Sequence, residues 1–316
     1  LKKLGIKMKY YYILYIFTVV SIAIALESCS DLQTNIPQAG KVIVHKEGFT
    51  NPSSPNFHGT LIAENNWDIK SCQQCHAADF SGGTSGQSCL TCHTNAGGPE
   101  ACNTCHGNFY NPNIIAPPRA TNGDTSTSSY FVGAHASHLY GGTLGQIVAC
   151  SACHVVPQSL YSPGHLDATS ENIIKFSGVA IANIASNPNF DQGTARCSNT
   201  YCHGNFVYKK TSASLQNQFA FSDSQMVGNN VTVNWTKVDG SQMACGTCHD
   251  LPPKGHIGPI PITECYTCHG NVVDATGKII NPTLHINGKA DVRGDVTSSA
   301  IKPGTAVYRL IHSLSK

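Results

Sequence analysis

The chain is poor in methionine, in net charge and in regular hydrophobic periodicity, and each shortage closes off a class of explanation. Methionine occurs only as Met8, Met226 and Met243. Twenty basic residues against eighteen acidic ones leave a formal charge of +2. Residues 1–28 hold four of those lysines and Glu27, so the remainder of the chain carries a formal charge of −1. That balance provides no basic surface for nucleic acid and no electrostatic signature of a partner. Sustained helical periods are missing as well. With 29 glycines and 16 prolines, the pattern predicts a mostly irregular, loop-rich fold with short helices and minor β-structure. Close runs of three or more cysteines are absent, which excludes ordinary iron–sulfur ligation.

Cysteine and histidine are abundant instead, fifteen of each. Six times the chain reads Cys-x-x-Cys-His: Cys72/Cys75/His76, Cys89/Cys92/His93, Cys102/Cys105/His106, Cys150/Cys153/His154, Cys245/Cys248/His249 and Cys265/Cys268/His269. A seventh copy is stretched, from Cys197 through Ser198, Asn199, Thr200 and Tyr201 to Cys202 and His203. A structural zinc site also uses Cys-x-x-Cys, but it pairs two such knuckles per metal and has no need of a histidine after the second cysteine. A disulfide framework leaves the seven histidines unexplained too. Covalent haem attachment accounts for all three residues: each thiol adds across one porphyrin vinyl group, and the adjoining imidazole ligates iron from beneath the ring. For the stretched copy, parity supports the same reading. Once the six pairs and Cys29 are set aside, only Cys197 and Cys202 remain.

The other histidines test this expectation of seven haem c groups. His76, His93, His106, His154, His203, His249 and His269 serve as proximal ligands, leaving His45, His58, His135, His138, His165, His256, His285 and His312. His312 lies near the chain end and is set aside first, so seven distal candidates face seven irons. With methionine so scarce, bis-histidine ligation is expected throughout. Closed coordination describes a conductor of electrons, and no catalytic residue is assigned. His135 and His138 are three residues apart, which places both imidazoles on one helical turn, from which they reach two different haems.

The segment from Gly133 to Gly288 contains Cys150-Ser-Ala-Cys153-His154, Cys197-Ser-Asn-Thr-Tyr-Cys202-His203 and Cys245-Gly-Thr-Cys248-His249. It resembles the exported multihaem c-type cytochromes that mix one CxxxxCH with CxxCH motifs, typical of bacteria that respire extracellular acceptors. The resemblance implies that Cys197 and Cys202 carry a haem and that the intervening histidines are distal ligands. Asp250 departs from the glycine expected after that motif histidine.

At the N-terminus, Lys2, Lys3, Lys7 and Lys9 precede an apolar run from Tyr10 to Leu26, the pattern of a secretory signal. The run ends at Cys29 in a sequence that resembles a lipobox, so lipidation of Cys29 and a membrane anchor are expected. The organisation expected is a signal peptide over 1–28, a trihaem region over 29–107, a polar linker over 108–132, a tetrahaem region over 133–290 and a tail over 291–316. Residues 29–316 allow about 41 residues per haem, too few for a conventional core that also encloses the cofactors, so porphyrin must supply buried apolar surface. Val231–Trp235 alternates as a strand does and is expected to pair with Phe219–Phe221, with Trp235 packed against a haem edge.

These readings lead to an exported electron-transport protein of the periplasm, outer membrane or cell surface, passing electrons to redox proteins or extracellular acceptors. Two alternatives stand beside it. One is a subunit of a conducting filament (a nanowire), in which His45, His58 or His312 ligates a neighbouring subunit's iron. The other is a haem enzyme that reduces nitrite or sulfite, which requires an open coordination position.

Overall fold

Glycine, proline and asparagine punctuate the backbone so often that regular elements rarely exceed two turns. A computed structural model describes residues 11–22, 44–167, 174–292 and 301–314. Two compact units divide it, residues 1–64 and 65–316. Lys2, Lys3, Lys7, Lys9 and Cys29 lie outside the described residues.

The first unit contains a helix over residues 11–22 and the helix His58–Glu64. No helix among the described residues is long and apolar enough to cross a membrane. Ahead of the second helix, the ring of Phe49 stacks on His45 at 3.9 Å between centroids and lies 5.5 Å from His58.

In the second unit the cysteine motifs determine where helical turns form. Residues i, i+3 and i+4 are neighbours on one helical face, so Cys-x-x-Cys-His in a helical turn presents two thiols and an imidazole together. The backbone closes that turn repeatedly. The amide of His93 donates to Cys89 O at 3.0 Å, His106 to Cys102 O at 3.1 Å, His154 to Cys150 O at 2.9 Å and His269 to Cys265 O at 2.9 Å. The first motif, with Cys72 and Cys75, ends the helix Lys70–His76, and the third forms the helix Cys102–Cys105. In the second, Cys89–Thr91 is a 3-10 turn that Cys92 terminates. The stretched motif cannot close as one turn. Cys197 sits on a strand, while Cys202 and His203 belong to a separate 3-10 turn, Tyr201–His203.

Two small antiparallel sheets frame that motif. Strands β1 (Asn189–Asp191), β2 (Arg196–Ser198) and β5 (Val233–Asn234) lie in the order β1-β2-β5, with Cys197 opposite both Phe190 and Val233. Strands β3 (Val207–Lys209) and β4 (Gln225–Val227) form the second sheet. The strand expected around Val231–Trp235 therefore exists, but its partner is Arg196–Ser198 and not Phe219–Phe221. Leu215–Ala220 coils into 3-10 turns, and Phe221 bridges to His256. Local alternation identifies a strand without selecting its partner, which depends on distant register.

The apolar core is thin. Buried apolar residues are scattered, and the one cluster among the described residues comprises Ile257, Ile260, Ile301 and Val307, with Cys268 and Phe219 against it. A domain of this size ordinarily has one contiguous core. The helix Ala306–Leu314 joins the cluster, its first amides held by Glu264 Oε2 at 2.7 Å from Ala306 N and 3.3 Å from Val307 N. The irregular fold with short helices and minor β-structure is the architecture the composition led to.

Candidate haem centres

Four motif histidines each face a histidine from elsewhere in the chain. Ring centroids are 6.1 Å apart for His106 and His165, 6.1 Å for His154 and His135, 6.2 Å for His203 and His138, and 6.3 Å for His249 and His285. These separations have a direct chemical meaning. An imidazole nitrogen binds a first-row metal at about 2.0–2.1 Å and the ring centroid lies roughly 1.1 Å further back, so two imidazoles on opposite sides of one metal stand about 6.2–6.4 Å apart. Each gap has the width of a single metal atom.

The donor set identifies what kind of group fits there. Among the described residues no cluster of three or more His, Cys, Asp or Glu side chains converges as a metal site. Two imidazoles per gap supply only the axial pair, and a porphyrin supplies the four equatorial nitrogens. Fourteen cysteines of the described residues are free thiols, two for each motif, available to form thioethers. Burial, with a contribution from Cys153, pushes the thiols of Cys197 and Cys202 up to about 12, so both sulfurs stay uncharged. The residues fit haem c.

Enclosure of the thiols is uneven. Ten of the fourteen cysteines are half-buried, but Cys75 and Cys92, the second cysteines of the first two motifs, are exposed, together with Cys102 and Cys245. The reason is local. The first two motifs lie in a run of short turns between Lys70 and Glu100, where glycines at 82, 83, 86, 97 and 98 leave little side-chain bulk to cover both sulfurs of a pair. Protein packing therefore contributes nothing to the assignment of Cys75 and Cys92 to haem, which rests on the motif spacing alone.

The tautomer of each ring is set by the backbone. Where Nδ1 lies against a carbonyl it carries the proton and donates, which leaves Nε2 as the metal-facing nitrogen. His135 donates to Val132 O at 2.7 Å, His138 to Ala134 O at 2.8 Å, His165 to Leu160 O at 2.8 Å and His256 to Ile257 O at 2.7 Å. His285 donates to Leu144 O across 141 residues of chain. His58 does the same to Phe49 O at 2.9 Å. Of the motif histidines, His76 reaches Gln87 O at 2.7 Å, His249 reaches Asp250 O at 2.7 Å and His269 reaches Asp291 O at 2.6 Å. These acceptors are main-chain atoms, so residue type could not reveal them.

Burial depresses protonation of the imidazoles and so favours the neutral state a metal ligand requires. His203 falls to about 4 because it is buried, with His138 adding to the effect. His106, His135, His256, His269 and His285 are lowered as well, first by burial. The secondary influences reveal adjacency: His154 acts on His106, His106 and His138 act on His135, and His249 acts on His269. His269 likewise acts on His256. Cys248 acts on Cys202, and Cys72 on Cys89.

The helix His135–Leu139 carries both of its histidines on one turn, as their spacing led us to expect. Trp235 packs on this pair, edge-on to His135 at 4.8 Å and stacked on His138 at 5.8 Å. His93 lies edge-on to Phe109 at 5.3 Å. His312 stacks on Tyr308 of its own helix at 4.0 Å. Asn205, which the sequence did not single out, ties down the loop around the stretched motif. Its Nδ2 donates to Ser186 O at 2.7 Å and Asn199 O at 2.6 Å, and its Oδ1 accepts from Ala185 N at 3.2 Å. Gly204 follows His203 with φ +90, and any Cβ there would collide with the carbonyl of Cys248.

Residues 196–249 match a family model described as the Geobacter CxxxxCH...CXXCH motif. The match begins at Arg196, next to Cys197, and ends on His249, so it holds the stretched motif and the copy that follows it. No curated protein and no solved structure matches the chain. The motif match supports a multihaem c-type cytochrome with haem c as its cofactor and a part in electron transfer.

Proposed function

We propose that the chain is a heptahaem c-type cytochrome relaying single electrons through closely packed bis-histidine irons. The observation that carries this reading is the set of four imidazole pairs at 6.1–6.3 Å, each joining a motif histidine to a histidine outside any motif. Haem, when bound, supplies the iron that alternates between two oxidation states. The protein's part would be to hold the group between paired histidines, to keep each imidazole neutral and to bring neighbouring sites together.

Several of these sites adjoin one another. His106/His165 adjoins His154/His135, which shares a helix with His138 of the His203 site. Cys202 then adjoins Cys248, and His249 adjoins His269 with His256. The remaining distal histidines of the set are His45 and His58. Without methionine ligands, which raise potential, the irons are expected at low potential, suited to anaerobic respiration. We place the protein outside the cytoplasm, lipid-anchored through Cys29 and passing electrons to a redox protein or an extracellular acceptor, on the strength of its leader sequence and resemblance.

Mass spectrometry of the denatured holoprotein, together with carbon monoxide titration after reduction, tests the reading. Seven covalent haems and no carbon monoxide binding are expected. Fewer attached haems would refute the count, and stoichiometric carbon monoxide binding would favour a haem reductase.

A further inference from the structure

The four histidine pairs differ in one respect that their spacing conceals. The imidazole planes are nearly parallel in His106/His165 and His154/His135, at 21° and 15°. They are nearly perpendicular in His203/His138 and His249/His285, at 75° in both. Parallel rings direct their π interaction at the same iron d orbital and split it from its partner. Perpendicular rings act on both orbitals and leave them close in energy. The two arrangements therefore give low-spin ferric irons of different electronic character.

The change between arrangements falls within a single helical turn. His135 belongs to a parallel pair and His138 to a perpendicular one, and Trp235 touches both. The indole plane is 86° from the His135 ring but only 26° from that of His138. One rigid ring thus walls two imidazoles in opposite senses. The indole is itself fixed, because Nε1 donates to Tyr130 O at 2.9 Å and Trp235 N donates to Ala195 O at 2.7 Å. Gly133 lies directly against the indole, and a Cβ at that position would run into the ring.

We propose that Trp235 is a positioning residue that sets the His138 imidazole across its partner, making the His203/His138 iron electronically distinct from its His154/His135 neighbour. This rests on the bis-histidine reading above. Backbone acceptors fix which ring nitrogen would face a metal, while the plane of the ring can still turn about that single contact. The indole wall removes this freedom. The split gives two adjacent irons sharing one distal helix unequal affinity for an electron.

Electron paramagnetic resonance of the oxidised holoprotein distinguishes the two classes. Near-parallel pairs give a rhombic low-spin spectrum, and near-perpendicular pairs give a strongly anisotropic signal with a large gmax. Both are expected in the unsubstituted protein. Trp235→Leu should remove the large-gmax contribution of one iron and add a rhombic one, while the His249/His285 iron keeps its share. Trp235→Phe retains an aromatic wall and should retain the signal. Gly133→Ala, whose Cβ would run into the indole, should reproduce the leucine result. It decides the matter if the leucine variant loses haem. An unaltered spectrum in a fully haem-loaded Trp235→Leu or Gly133→Ala protein would overturn the proposal, as would a rhombic signal alone in the unsubstituted protein. A high-spin spectrum throughout would instead overturn bis-histidine ligation itself.

Discussion

Replacing His285 with alanine should open one iron and leave the others closed. The His285 ring stands 6.3 Å from that of His249, and its Nδ1 donates to the carbonyl of Leu144. Removing the imidazole would take away one of the two histidine ligands of the iron held by His249. Carbon monoxide should then bind the reduced protein at close to one equivalent, and one haem in seven should become high-spin in the oxidised state. The Leu144 carbonyl loses its donor as well, which costs about 1–3 kcal/mol if water cannot replace it. His312→Ala is the matched control, because His312 is exposed and its ring rests on Tyr308 within its own helix. No carbon monoxide should bind that variant. Failure of His285→Ala to bind carbon monoxide, with haem content intact, would refute the pairing. Binding at several haems would refute the independence of the sites.

The double replacement of Cys197 and Cys202 by serine should lower the covalent haem count by one, read by mass spectrometry under denaturing conditions. An unchanged count would remove the stretched motif from the set. Asn205→Ala abolishes three hydrogen bonds at a site 2% exposed and should destabilise the protein by roughly 3 kcal/mol, seen as a lower midpoint in denaturant. Glu264→Ala removes the carboxylate that caps the helix Ala306–Leu314 and should cost about 1 kcal/mol, with no change in haem content.

Different parts of the molecule were legible in the sequence to different degrees. The abundance of glycine and proline announced a backbone of loops and short turns, because each such residue interrupts regular hydrogen bonding locally. The turn at His135 and His138 was readable for the same reason, since a three-residue spacing is a local property. Spacing also treated all seven cysteine pairs alike, yet Cys75 and Cys92 are exposed where Cys197 and Cys202 are half-buried, a contrast set by how much chain folds over each turn. The partner of Val233–Asn234 was not readable, because Arg196–Ser198 lies some forty residues away and nothing in either segment encodes their register. Which distal histidine meets which motif is equally non-local: His285 faces His249, but His165 faces back to His106. The main-chain acceptors that orient the imidazoles leave no trace in residue type. Trp235 was noticed as an aromatic residue, but its position against two distal histidines depends on β5 pairing with β2.

The way the histidine pairs interleave along the chain has a consequence for how the molecule is put together. The link from His135 to His154 is enclosed within the link from His106 to His165, and the link from His138 to His203 crosses out of both. A chain threaded in this manner behaves like cloth sewn with overlapping stitches. No cut between residues 106 and 203 frees a fragment with its ligands complete, whereas none of these four links spans residues 204–248. Between residues 106 and 285, a break that leaves all four links whole falls only in that interval, which the matched CxxxxCH...CXXCH segment bridges from one side to the other.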